Sequence, residues 1–202
     1  MKLYYAPAAC SLAPHIAAIE AGLPLELKKV EFGANGKTVD GRDYAEINPK
    51  GAVPALETDE GEVLTENAVL LQYLASKAPG SRLVPAGDGL ERWRFLELLN
   101  FIATEIHKGF GPLWNPTTPP EVREGAVANL GKKFAFLEKQ LDGRPFLFGD
   151  SFTAADAYAY AVLNWTSIHK IDLAPWPALQ AYMGRLREHP SVAQALREEG
   201  LG

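Results

Sequence analysis

What most constrains this chain is where its strand-like segments stop. Up to about residue 80, short extended runs alternate with apolar residues at helical spacing. From residue 90 onward only helical spacing is found. The first run, Lys2-Leu3-Tyr4-Tyr5, has strong strand character because both tyrosines favour a pleated surface. Ala6-Pro7-Ala8-Ala9 breaks it, and a helical pattern over residues 11–21 ends at Gly22. Residues 25–32 alternate as a strand, 33–36 read as a turn, and 39–47 read as irregular or weakly helical. Residues 52–57 and 63–64 flank the turn Asp59-Glu60-Gly61 as a hairpin, and 66–75 form a helix carrying Ala68, Leu70, Leu71 and Leu74. A strand–helix–strand unit followed by a hairpin and a helix makes a small α/β domain, placed at residues 1–80.

Pro79-Gly80-Ser81 and Pro85-Ala86-Gly87-Asp88-Gly89 then mark a linker, assigned to 81–89. The all-helical remainder, 90–202, reads as a long helix over 90–110, a proline-rich turn over 112–120 and a helix over 121–141. A further helix opens at Thr153, three residues before Asp156 in capping-box spacing, and runs to about 169. Residues 177–188 and 192–199 finish the chain. With 202 residues and 47% hydrophobic content, both parts can hold a core.

Composition excludes several function classes. A formal charge of −5 and no basic stretch argue against nucleic acid as a partner. One cysteine permits no internal disulfide and no multi-cysteine metal site, and no metal is expected. It is not half of a C-x-x-C pair, since position 7 is proline and position 13 is alanine. Pro7, Pro14, His15 and Glu20 interrupt the apolar N-terminus, which argues against a signal peptide. No apolar run is long enough to span a bilayer, so the expectation is a soluble, cytoplasmic protein without a membrane partner.

Four features carry chemistry. Cys10 stands at the mouth of the first helix, because Pro14 is tolerated only in a first turn. A thiol there faces unpaired amides and the positive end of the helix dipole, which favour a thiolate. Position alone leaves open a small buried hydrophobe. In Asn48-Pro49-Lys50-Gly51-Ala52-Val53-Pro54, Pro54 holds Val53 extended and removes a backbone donor, leaving an edge where a peptide-like ligand can add as a strand. A strand that merely begins at a proline fits equally. Thr65-Glu66-Asn67 opens an apolar helix whose free N–H groups suit a carboxylate while Glu66 suits an ammonium; a simple capped helix is the plainer alternative. On the long helix, Asn100, Thr104, His107, Lys108 and Gly111 share one face, opposite Phe95, Leu98, Leu99, Ile102 and Ile106. Such a stripe usually only meets solvent, but a histidine within it can give a proton or a hydrogen bond to a nearby sulfur. Phe110, Trp114, Tyr158 and Trp165 are core aromatics or the wall of an apolar pocket. His15, His169 and His189 lack metal-ligand spacing and read as structural or surface residues.

Taken together, these segments resemble the bacterial beta-class glutathione transferases, which join a thioredoxin-like domain to an all-helical one. The likeness covers nearly the whole chain. It rests on residues 2–5 through Ala9-Cys10-Ser11-Leu12, Asn48-Pro49-Lys50-Gly51 with Val53-Pro54-Ala55-Leu56, Leu64-Thr65-Glu66, the stretch 100–110, and Phe152-Thr153-Ala154-Ala155-Asp156-Ala157-Tyr158. The resemblance implies glutathione as co-substrate, and a Cys10 able to form a mixed disulfide with it. His107 would sit near the glutathione sulfur, and Val53, beside a cis Pro54, would pair with the cysteinyl backbone. Glu66 and the amide of Asn67 would hold the γ-glutamyl end. Tyr5 and Ala52 would line the tripeptide, and Lys37 would meet its glycyl carboxylate. Asn100 and Thr104 would reach that site from the second subunit of a homodimer, while Lys108, Phe110, Trp114, Tyr158 and Trp165 would border a small apolar electrophile. The chain departs from the family at Asn67, where a small glycine or serine is usual, and in the glycine-rich stretch 33–42. A non-catalytic carrier or interaction module on the same fold is the alternative.

Overall fold

The computed structural model describes residues 1–33 and 36–202, so the expected 33–36 turn lies in part outside the described residues. The first half runs β1 (Lys2–Tyr5), α1 (Leu12–Glu20), β2 (Glu26–Lys29), β3 (Glu31–Gly33), β4 (Gly36–Val39), β5 (Arg42–Asp43), a 3-10 turn (Tyr44–Glu46), β6 (Ala55–Glu57), β7 (Val63–Thr65) and α2 (Asn67–Lys77). One sheet has the order β2-β1-β6-β7, with β1 parallel to β2 and antiparallel to β6. Leu3 pairs with Leu27 on one side and Leu56 on the other, so apolar side chains are in register across its centre. The two-residue period of a strand then divides β1. Leu3 and Tyr5 enter the main core, while Tyr4 joins Val30, Val39, Tyr44 and Ala55 in a small second core.

That second core explains two departures from the sequence reading. Residues 25–32 are not one strand, because Val30 turns inward and its N–H bonds the Tyr5 carbonyl at 2.8 Å, closing the β1–β2 ladder. The chain then starts β3 in a separate antiparallel sheet, β3-β4-β5. The stretch 39–47, expected to be irregular or weakly helical, holds the turn and second strand of the β4–β5 hairpin before the 3-10 turn at Tyr44–Glu46. The hairpin turn is Asp40-Gly41, both at positive φ (50° and 78°), the geometry that tight hairpins favour.

The second half consists of α3 (Leu90–Phe101), a π-helical segment (Ile102–His107), a 3-10 turn (Lys108–Phe110), α4 (Gly111–Trp114), α5 (Pro120–Gln140), α6 (Ala154–Leu163), α7 (Trp165–Ile168), α8 (Pro177–Glu188) and α9 (Pro190–Glu198). The helix read over 90–110 therefore changes winding at 102 and continues through Pro112, which is tolerated near a helix start where its missing N–H has no partner to lose. Every residue of α6 is buried, as expected of a helix apolar on all sides. Its start is fastened by Asp156: Thr153 donates to it from N and Oγ1 (2.8 Å each), Leu147 N at 2.9 Å and Tyr182 Oη at 2.8 Å. Helix α1, buried over residues 12–18, packs on α2, α6 and α9 and forms the seam between the two halves. No helix among the described residues is long and apolar enough to cross a membrane.

Candidate functional site

Cys10 lies at that seam, just before α1. The loop carrying it is clamped by Ser11, whose Oγ accepts from Ala6 N and donates to Ala6 O, both at 3.1 Å. Its far side is held at Ala8, at φ 61°: Trp165 Nε1 donates to Ala8 O at 2.8 Å, and Ala8 N donates to Glu199 Oε2 at 3.3 Å. Thus α7 and the residue following α9 fix the position of a thiol on the other half of the molecule. Cys10 Sγ donates to the Val53 carbonyl at 3.2 Å. Burial pushes the thiol up to about 11, outweighing Asn67, the amides of Cys10 and Ser11, and Lys108, all of which favour ionisation. The thiolate expected from the helix dipole is therefore corrected for the free chain: desolvation exceeds the pull of the amides.

The Val53–Pro54 bond is cis. Val53 is half-buried, and its carbonyl is engaged by the thiol rather than open. The Ala52 carbonyl is also taken, by Tyr44 Oη (3.0 Å) and Asn48 Nδ2 (2.7 Å). Lys37 Nζ donates to the Gly51 carbonyl, which brings the β4 strand to the same loop. Glu66 is not a first-turn residue: it is the N-cap of α2 at φ 71°, with an exposed carboxylate. Lys50 Nζ bonds it at 2.7 Å and holds it below the usual carboxylate range. Lys50 was not singled out from the sequence, although its place in the Asn48–Gly51 turn put it on the same edge. Asn67 is 5% exposed, and its Oδ1 has no hydrogen-bond partner among the described residues.

From the helical half, His107 is brought to this place by the π-helical segment. The wider turn breaks the stripe read from the sequence: Asn100, Thr104, Lys108 and Gly111 stay exposed while His107 turns inward. His107 Nδ1 and Tyr158 Oη are 2.7 Å apart, and the imidazole meets the Trp165 ring edge-on at 5.1 Å. Burial, then Lys108, lowers the imidazole to about 4, against Glu66, so at neutral pH it offers hydrogen bonds and not a charge. Burial, then Cys10, raises the Tyr158 phenol, which keeps its proton. Phe110 is fully buried beneath Trp165 at 5.5 Å, whereas Trp114, 47% exposed and edge-on to Trp165 at 5.1 Å, forms an open lip. Tyr5 packs near His15, with the ring centroids 6.4 Å apart. Thr104 Oγ1 donates to the Asn100 carbonyl at 3.0 Å, and neither side chain has another hydrogen-bond partner among the described residues. No group of three or more His, Cys, Asp or Glu among the described residues could hold a metal ion.

The arrangement is a buried thiol bonded to the carbonyl of a peptide-like edge, and a neutral imidazole bonded to Tyr158 and packed on Trp165, whose ring N–H in turn holds the Cys10 loop at Ala8. Comparison with known proteins gives a consistent result. Residues 9–77 match the model of the glutathione S-transferase N-terminal domain, and 101–190 that of the C-terminal domain. The chain is 42% identical over 201 residues, covering all of both chains, to the glutathione S-transferase GstA of Escherichia coli O157:H7. A sphingomonad glutathione S-transferase solved with glutathione superposes with a TM-score of 0.93 at 44% identity, covering 100% of each chain. A beta-class enzyme of Sphingomonas chungbukensis does so with a TM-score of 0.93 at 40% identity, again over 100% of each.

Proposed function

The chain belongs to the glutathione S-transferase family, on its bacterial beta-class side, and from that premise we propose that it is a cytoplasmic enzyme that joins glutathione to small apolar electrophiles. In this reading residues 1–80 hold the tripeptide and 90–202 supply the second substrate's pocket. Val53 and Ala52 present the edge for the cysteinyl backbone, while Glu66 and the Asn67 amide receive the γ-glutamyl end. Lys37 and Tyr5 complete the tripeptide's surroundings. Lys108, Trp114, Tyr158 and Trp165 border the electrophile, with Phe110 buttressing them from below.

The observation that carries this proposal is that Trp165 holds the Cys10 loop at Ala8 and packs on the His107 of the His107–Tyr158 pair, so groups from the two halves of the fold meet there. The phenol, protonated throughout the working range, donates to Nδ1 and so leaves the hydrogen of the neutral imidazole on Nε2. That N–H is a donor for a glutathione thiolate, which attacks the electrophilic carbon while the leaving group departs with its electron pair. Burial holds Cys10 as a thiol at neutral pH, which favours conjugation through the glutathione sulfur as the main reaction. Exchange at Cys10 is the minor one: its thiolate attacks oxidised glutathione, forms the mixed disulfide and releases one glutathione thiolate.

Mass spectrometry after exposure to oxidised glutathione tests the thiol's part. Wild type is expected to gain one glutathionyl group and Cys10→Ala none, with conjugation of an activated aryl halide persisting in the variant. An unmodified wild type removes Cys10 from the chemistry. Retention on immobilised glutathione with no turnover of any electrophile would instead favour a carrier.

A further inference from the structure

Asn67 is the one feature of the crevice that neither half's packing accounts for. It is the first residue of α2, yet its side chain does not cap that helix. The side chain is 5% exposed, and its Oδ1 is buried without a partner. An unpaired buried acceptor costs free energy, so such an atom in a folded protein calls for an explanation. The carboxamide lies where it acts on both Cys10 and Tyr158, favouring the ionised form of each. Geometry agrees with this: the register that pairs Ala55 with Thr65 brings the start of α2 to the end of β6 that leads back to Val53, whose carbonyl takes the Cys10 thiol.

We propose that the Asn67 side chain is a positioning residue for sulfur chemistry, a two-faced amide that serves the Cys10 thiol in one protonation state and the thiolate in the other. A carboxamide suits this task because it carries an acceptor and two donors on one rigid plane. Oδ1 accepts from S–H when the thiol leaves the Val53 carbonyl, as it must when a peptide-like ligand pairs with that edge. Nδ2 donates once the proton is gone, and hydrogen bonds to an ionised acceptor are the stronger kind. The other groups facing the sulfur act differently. Lys108 favours the thiolate from the exposed face of the helical half, and His107 is neutral and already bonded to Tyr158. The inference deepens the glutathione reading at that same site, but its test needs no glutathione.

Because Cys10 is the only cysteine, alkylation of the full-length protein by iodoacetamide reports on it alone. Rates would be read from pH 7 to 10 for wild type, Asn67→Ala, Asn67→Asp and Asn67→Ser, with circular dichroism to follow the fold. Loss of the amide is expected to raise the thiol pKa by about one unit, a roughly tenfold slower reaction below the pKa. Asn67→Asp, which replaces a donor with an anion, is expected to slow it further, and Asn67→Ser, which keeps a group that both donates and accepts, to recover most of the rate. The inference is overturned if Asn67→Ala and Asn67→Asp react within twofold of wild type across that range. It is equally overturned if Asn67→Ser is as slow as Asn67→Ala, which would make the effect one of packing. Should either variant unfold, the other together with Asn67→Ser decides. Binding of S-methylglutathione, followed in parallel, fails for every form if the glutathione reading is wrong and leaves the alkylation result intact.

Discussion

His15 is 2% exposed between two glutamates, with Glu199 Oε1 3.0 Å from Nδ1 and Glu198 Oε2 2.7 Å from Nε2. Burial pulls the imidazole toward neutrality, but hydrogen bonds and charge from Glu199 and Glu198 win, and its pKa is raised. A raised folded pKa stabilises the protein fully below the unfolded value, near 6.5, and that stabilisation is lost as pH climbs through the raised value. Melting temperature should therefore fall between about pH 6.5 and the raised folded value in wild type, and His15→Gln should abolish that slope. At pH 6 the substitution leaves buried Glu199 without its cation, a loss of about 3 kcal/mol. Parallel melting curves of wild type and variant across that range would refute the assignment. Glu199 also holds Ala8 N, so the same cluster fixes the Cys10 loop from behind. In the sequence His15 is legible only as a histidine in an apolar helix, since its partners lie some 184 residues away.

Among the elements, the rod from α3 to α4 shows what spacing reveals and what it hides. The apolar residues Phe95, Leu99, Ile102 and Ile106 are buried as their positions imply. The π-helical winding over Ile102–His107 leaves no mark in composition, yet it ends on a His107 that faces Tyr158, away from the exposed face that Asn100, Thr104 and Lys108 keep. The β4–β5 hairpin failed to register for a different reason: its strands are too short for alternation to show, and only Asp40-Gly41 signals it. The Cys10 pKa was misjudged because dipole and amides are local to the sequence while burial is a property of the whole seam. Just after the π-helical segment, Gly109 meets α5 so closely that an added Cβ would lie 2.8 Å from Cδ2 of Leu130, a fully buried side chain that would have to shift within the core. Gly109→Ala should destabilise by about 1–3 kcal/mol, as overpacking does, and lower turnover by displacing His107. Urea unfolding checks this, and an unchanged midpoint would mean that α5 gives way without cost.

For the whole molecule, Asn100 and Thr104 stand exposed on one face of the helical half, with Thr104 Oγ1 donating to the Asn100 carbonyl. They continue a line along α3 that carries Leu90 (71% exposed) and Trp93 (61% exposed), large apolar residues that a lone chain would leave in water. Beside that line is a cleft of about 810 Å³ between α3 and α5, walled by Leu98, Phe101 and Phe136 and rimmed by Arg94, Glu97 and Arg144. Phe101 and Phe136 lie 4.8 Å apart within it, and Phe136 is 43% exposed. Apolar surface of this kind, framed by charges of both signs, marks an interaction face. A second copy seated there would cover the cleft and carry Asn100 and Thr104 toward the γ-glutamyl end of the opposite site. Light scattering should accordingly return twice the mass of one chain. Phe136→Glu, which puts a charge into the cleft without entering either core, should return one mass and raise KM for glutathione severalfold while leaving the circular dichroism spectrum unchanged. If wild type itself scatters as a single chain, Asn100 and Thr104 have no site to reach, and each chain must bind the tripeptide with its own residues alone.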